Sequence, residues 1–208
     1  MLISEKHNFI FIHIYKNAGT SITNILEPFV LGKWQGKVHK ALNKLSIPSP
    51  FFDPHPFHGH IKASEIIDSL GRDKFDSFFS FAIVRNPWDW QVSFYNYMLK
   101  QKDHHQHELV KELGSFDGYI KWRCENEVRY QKDFIYSKNN ELLVNFVGRY
   151  ESLDVDFSRI CSRIGISASL PKLNVSNTKP YQSYYTEKTK DLVRQAFEPD
   201  IKTFDYDF

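Results

Sequence analysis

Cysteine is scarce in this chain, and no apolar stretch approaches the ~20 residues needed to cross a bilayer. Only Cys124 and Cys161 occur among 208 residues, too few and too far apart for a disulfide framework or a cysteine-based zinc site. A charge excess is missing as well. The 27 Lys and Arg against 25 Asp and Glu leave a net charge of +2, so nothing marks the whole chain as a nucleic-acid binder and any basic patch must be local. There is no internal repeat and no low-complexity tract. No signal peptide is expected, because Glu5, Lys6, His7 and Asn8 interrupt the N-terminus before any apolar core of one could form, and the cytoplasm is the expected location. The spacing G-x-x-x-x-G-K-[ST] is absent, which disfavours ATP with Mg²⁺ as ligand. At 41% hydrophobic and 16% aromatic, the composition suits one globular domain over residues 1–208 with a sizeable core.

What the chain does have is two strand-then-turn segments with the layout of anion sites. In the first, the apolar run Phe9–Ile14 reads as a buried strand, and Lys16, Asn17, Ala18, Gly19, Thr20 and Ser21 follow it. Apolar positions at Ile22, Ile25, Leu26 and Phe29 then recur at helical spacing. A helix opening there offers backbone N–H groups and the positive end of its dipole beside a lysine and two hydroxyls, a natural phosphate site. Gly19 is expected to permit close backbone approach to a ligand and a positive φ. A plain N-cap with a solvated lysine is the alternative.

The second segment repeats the plan. Phe78–Val84 reads as a buried strand, then come Arg85, Asn86 as N-cap and Pro87 at the first helical position. Arg85 supplies a planar fork of donors suited to phosphate. Ser93, two turns into the helix, can turn toward the same ligand. The alternative pairs Arg85 with Asp89 and makes Ser93 a small core residue. Taken together, the two segments suggest a grip on both ends of one doubly phosphorylated nucleotide.

These residues resemble the sulfotransferases that use 3′-phosphoadenosine 5′-phosphosulfate (PAPS), in the branch of carbohydrate sulfotransferases and small bacterial relatives. That family carries Pro-Lys-Thr-Ala-Gly-Thr-Ser around the 5′-phosphosulfate and Val-Arg-Asn-Pro-Trp-Asp-Arg, followed by a serine, around the 3′-phosphate. The resemblance implies that Lys16 through Ser21 take the first role and Arg85 and Ser93 the second, with 3′-phosphoadenosine 5′-phosphate (PAP) as product and no metal. Tyr15 stands where the family has proline, Asn17 where it has threonine, and Trp90 where an arginine is common. Val147–Leu153, Leu170–Ser176 and Asp200–Phe208 look like later family landmarks. Through the second of these, Asn174, Ser176 and Lys179 become candidates for closing over the 3′-phosphate.

Transfer also needs a group that takes the acceptor's proton. The sequence His58-Gly59-His60 follows a loop rich in proline (Pro48, Pro50, Pro54, Pro56), and histidine titrates near the working pH. By resemblance to glycan 2-O-sulfotransferases, His60 is the base and His58 its support. Residues 34–60 are the expected acceptor-side loop, with Trp34, Phe51, Phe52 and Phe57 able to stack on sugar rings. The run Asp103–Glu108 offers metal-ligand spacing on a helix, but a solvated helix start explains it better. Helical spacing also marks residues 105–125, 139–165 and 186–198. The expectation is therefore an α/β, P-loop-NTPase-like three-layer domain with a mainly parallel central sheet flanked by helices. It would act as a PAPS-dependent sulfotransferase on a hydroxyl acceptor, a carbohydrate first. A kinase-like phosphotransferase and a non-catalytic nucleotide or glycan binder are the rival readings.

Overall fold

The computed structural model describes residues 1–30, 37, 38, 41, 42, 44, 45, 47, 59–170 and 179–208. Strands β1 (Leu2–Ser4) and β2 (Phe9–Ile12) precede helix α1 (Gly19–Val30), and α2 (Ala63–Leu70) and α3 (Arg72–Asp76) lead into β3 (Phe79–Val84). Helices α4 (Pro87–Lys100), α5 (His107–Glu112) and α6 (Phe116–Asn126) come next, then β4 (Phe146–Arg149), α7 (Leu153–Arg163), α8 (Glu187–Ala196) and α9 (Glu198–Phe204). The strands form one mixed sheet in the order β1-β2-β3-β4. The β1 pairing is antiparallel, while β2–β3 and β3–β4 are parallel. A mainly parallel sheet with flanking helices is the α/β architecture the sequence suggests. By its contacts the chain divides into two compact units, Met1–Val84 with Phe134–Lys172 and Arg85–Asp133 with Leu173–Phe208.

The first unit holds the sheet. Strand β2 is buried along its whole length, the pattern of a parallel strand covered on both faces. Phe9, Phe11, Phe81 and Ile83 point to one face, where they meet Ile22 and Leu26 of α1 and Leu153, Phe157 and Ile160 of α7. Phe11 stacks on Phe81 across the strand pair at 5.2 Å between ring centres. Each fully buried side chain of this size contributes about 1.5–3 kcal/mol, so this layer fixes the strand register and with it the loops at the strands' carboxyl ends.

The second unit opens as its sequence predicts. The Asn86 side chain accepts a hydrogen bond from Trp88 N at 3.0 Å, with Pro87 at the first helical position. Trp90 is buried edge-on against Phe94 and Phe197, at 5.0 and 6.4 Å, so its departure from the family arginine is a matter of packing. The helix expected over 105–125 is two helices, because Gly114 takes φ +72° and Ser115 recaps the chain at Gly118 N. His104 and His105 precede α5 rather than lying on it, and His107 is buried with its Nδ1 bonded to the Met98 carbonyl. The segment 186–198 likewise breaks at Phe197 into α8 and α9. The segment 139–165 is a correction: its first half carries strand β4, and the helix begins only at Leu153.

Candidate functional site

In the first unit the carboxyl ends of β2, β3 and β4 share one sheet edge, since Ile12 pairs with Ala82 and Val84 with Arg149. Ligands of open α/β sheets bind at this edge. The chain leaves β2 there through His13, Ile14 and Tyr15, then turns through Lys16 to Ala18 into α1. Lys16 (φ +61°) and Ala18 (φ +58°) adopt the left-handed conformation on either side of Asn17. Such alternation turns successive N–H groups toward one concavity and is uncommon for residues with a Cβ. The buried Asn17 side chain donates from Nδ2 to the Ile83 carbonyl at 2.8 Å, pinning the turn to β3. Thr20 is exposed and Ser21 half-buried in the first turn of α1, which contains no acidic residue to compete for an anion.

Gly19 departs from expectation. It is not among the positive-φ residues; it is glycine because of a neighbour. A Cβ placed there would lie 1.7 Å from Nε2 of His13. His13 was not a candidate from sequence, yet its imidazole fills the space that the missing side chain leaves at the helix start. The only signal for it in the sequence is that it is the polar exception within the apolar run 9–14.

His60 belongs to the same cluster. Its Nδ1 lies 3.0 Å from the His13 carbonyl oxygen; a carbonyl only accepts, so Nδ1 carries the hydrogen and, in the neutral ring, Nε2 carries the lone pair. The His13 and His60 rings are 4.4 Å apart, and Tyr15 stacks on His60 at 3.6 Å. Burial lowers the His60 pKa below its ordinary value, with the bond to the His13 carbonyl opposing the shift. Burial, with His60 and the Met1 amino group adding to it, lowers His13 further, to about 3. Both rings are therefore neutral near pH 7, and His60 is in the state a base requires. His58 and most of the acceptor-side loop, with Trp34, Phe51, Phe52 and Phe57, lie outside the described residues.

The second unit presents Arg85 and Ser93. Asp89 accepts from the Arg85 Nε at 2.7 Å, the pairing that the alternative sequence reading expects. A guanidinium has five donors, so an ion pair at Nε is compatible with a second anionic partner. The backbone of Arg85 is clamped on both sides by one side chain: Arg85 N donates to Gln131 Oε1 at 2.9 Å, and Gln131 Nε2 donates to Arg85 O at 2.8 Å. Gln131 and Lys132 donate their backbone N–H groups to the buried carboxylate of Asp200 at 2.7 and 2.9 Å. Gln131 and Asp200, both fully buried, are thus supports for Arg85 that sequence reading missed. Ser93 is half-buried on α4, Lys179 is exposed, and Asn174 and Ser176 lie outside the described residues.

A cavity of about 790 Å³ opens at the opposite end of the strands, lined by His7, Asn8, Phe79, Asn145 and Arg163 among others. It contains none of the candidate residues. Among the described residues no three His, Cys, Asp or Glu side chains are grouped to hold a metal ion, and no helix is long and apolar enough to cross a membrane.

Comparison with known proteins bears on both units. A protein of Archaeoglobus fulgidus is 28% identical over 108 residues, half of this chain and 82% of its own length. The crystal structure of mouse sulfotransferase SULT7A1 complexed with PAP superposes with a TM-score of 0.55 at 15% identity, covering 98% of this chain and 88% of the mouse chain. A sulfotransferase from Alicyclobacillus acidocaldarius gives 0.35 at 13% identity, over 100% and 95% of the two chains. The mouse enzyme supports the fold. The sequence profile of the sulfotransferase family matches residues 1–207, through both units and both motifs, and the chain belongs to that family.

Proposed function

We propose that this protein moves the sulfuryl group of PAPS to a hydroxyl of an acceptor, a carbohydrate being the acceptor class that its family branch favours. The observation that carries the reading is the turn from Lys16 to Ser21: two left-handed residues, a helix start without acids, and a lysine, all at the carboxyl-end edge of a mainly parallel sheet. The mouse enzyme of the same fold was crystallised with PAP, which supports a nucleotide of that chemistry here.

In this assignment the backbone N–H groups of Asn17, Ala18 and Gly19 and the hydroxyls of Thr20 and Ser21 hold the 5′-phosphosulfate, Asn17 acting through its backbone because its amide side chain ties the loop to β3. Arg85 and Ser93 take the 3′-phosphate, with Asn174, Ser176 and Lys179 closing over it. The acceptor oxygen attacks sulfur in line, the bond from sulfur to the 5′-phosphate oxygen breaks, and the hydroxyl proton passes to Nε2 of His60, supported by His58. Lys16 meets the negative charge that grows on the departing phosphate. Like phosphoryl transfer, such a step depends on positioning and charge stabilisation, and this assignment uses no metal. In this reading the reaction takes place in the cytoplasm.

The test is calorimetric titration with PAP, and separately with ATP and Mg²⁺, at fixed salt. Tight PAP binding that is lost in Arg85→Ala is the expected result. A preference for ATP would revive the phosphotransferase reading. PAP binding without transfer from PAPS to any hydroxyl in a glycan panel would leave a nucleotide-binding protein.

A further inference from the structure

Tyr15 has no assigned role, and its family counterpart is a proline, which cannot do what its ring does here. The ring lies face to face with the His60 imidazole at 3.6 Å and 23°. It is also packed edge-on with buried Phe134 at 5.7 Å and 77°. His60 is therefore fixed by two independent constraints. The bond from Nδ1 to the His13 carbonyl selects the tautomer and one direction in the ring plane, while the Tyr15 face fixes the plane itself. One in-plane direction plus the plane defines where the Nε2 lone pair points. Either constraint alone leaves the imidazole a rotation, about the hydrogen bond or within the stack.

We propose that Tyr15 is a positioning residue for proton removal: its ring holds the plane of the His60 imidazole, and so the direction of Nε2, while its backbone leads directly into Lys16 and the anion-binding turn. The inference rests on the assignment of His60 as base under the proposed function. It adds that the proton acceptor and the cation for the leaving group are set by one stretch of chain. When His60 takes the acceptor proton, the Nδ1–H bond to the His13 carbonyl becomes charge-assisted and strengthens, and the stacked phenol ring offers its negative face to the new imidazolium. Among the described residues, the titratable groups facing His60 besides the Tyr15 phenol are the His13 ring and the Met1 amino group, which donates to the Gly59 carbonyl at 2.9 Å.

The experiment reads the ring directly and needs no acceptor. Imidazole ¹⁵N spectra of the whole chain are recorded through a pH titration for the wild type, Tyr15→Phe and Tyr15→Leu; the leucine variant fills most of the volume without an aromatic face and guards against mere unfolding. The wild type and Tyr15→Phe should show His60 as a single tautomer with hydrogen on Nδ1, titrating below the ordinary histidine range. Tyr15→Leu should keep hydrogen on Nδ1, because the His13 carbonyl is untouched, but show His60 ring signals broadened and averaged by rotation about that bond, with PAP affinity within about twofold of wild type, because the phosphate turn itself is unaltered. Unchanged His60 signals in Tyr15→Leu would overturn the proposal, as would loss of PAP affinity with those signals intact, which would make Tyr15 a support of the turn. Failure of the wild type to bind PAP at all would instead overturn the parent reading, and it is seen in the titration rather than in the spectra.

Discussion

At the scale of single residues, the most exposed test is Gly19. Its hydrogen side faces three atoms of the His13 ring, at 1.7, 1.9 and 2.6 Å from where a Cβ would sit, and that ring is enclosed by Phe11 at 5.8 Å and His60 at 4.4 Å. A Cβ at that distance cannot coexist with the half-buried imidazole where it stands, so Gly19→Ala must displace the start of α1 or the histidine pair. Overpacking of this kind costs about 1–3 kcal/mol. We expect a lowered urea midpoint and displaced His13 and His60 resonances; a variant as stable as wild type with unmoved histidines would show that the clash relaxes locally. Lys16 is tested through kinetics. Under the proposed function, Lys16→Ala should lose far more turnover than PAP affinity, on the order of a hundredfold in kcat, because that assignment uses its charge only as the phosphate departs. Equal losses in both would reduce it to a ground-state phosphate ligand. His13 shows what a sequence hides at this scale: its partners lie six residues away at Gly19 and 47 away at His60, and only the folded chain brings them together.

Among elements, the legible ones were those whose causes are local. Helix α4 was readable because Asn86 and Pro87 announce its start, and α1 because Ile22 and Leu26 repeat at four residues. Strand β4 was not, because its four residues are held extended by pairing with β3, from Phe81 with Phe146 to Val84 with Arg149, a distant partner that no local spacing reveals. Gly148 was its one clue: a Cβ there would lie 2.7 Å from the Ile83 Cδ1, so close strand packing, not helix, explains that glycine. The support of Arg85 is similarly non-local. Gln131 comes from a loop 46 residues on, and it satisfies both the N–H and the carbonyl at the point where β3 ends and α4 has yet to begin. Gln131→Ala leaves two partly buried backbone groups without that partner, at up to about 1–3 kcal/mol each, and lets Arg85 drift. Gln131→Glu sets a carboxylate oxygen against the Arg85 carbonyl in a fully buried position, so its cost should exceed that of the alanine. The measurement is PAP affinity alongside the urea midpoint. A stability loss with unaltered PAP binding would separate Gln131 from the proposed 3′-phosphate site.

At the scale of the whole molecule, a half-buried histidine and a buried carboxyl in different units work against each other as pH changes. His13, held to about 3, stays neutral in the folded chain, while in the unfolded chain it gains a proton below about 6.5. Its contribution to stability is therefore full above 6.5 and is lost as pH falls toward 3. Asp200 is pushed up to about 7 by burial, the hydrogen bonds from the Lys132 and Gln131 N–H groups opposing the shift. Its folded pKa lies above the unfolded value near 4, so its contribution is full below about 4 and is lost as pH rises toward 7. Between roughly pH 4 and 6.5 the unfolded chain binds one more proton at His13 and the folded chain one more at Asp200, so the two slopes nearly cancel. Asp200→Asn removes one side of that balance. The plot of unfolding free energy against pH should then rise more steeply from pH 4 to 6.5 than in wild type, by the equivalent of about one proton. His13→Asn should tilt it the opposite way. Urea titrations across that range read the slope independently of the overall stability lost in either variant. Parallel curves for wild type and Asp200→Asn would mean that the carboxylate is ionised throughout, held so by the two N–H donors, and that acid sensitivity comes from the histidine cluster unopposed.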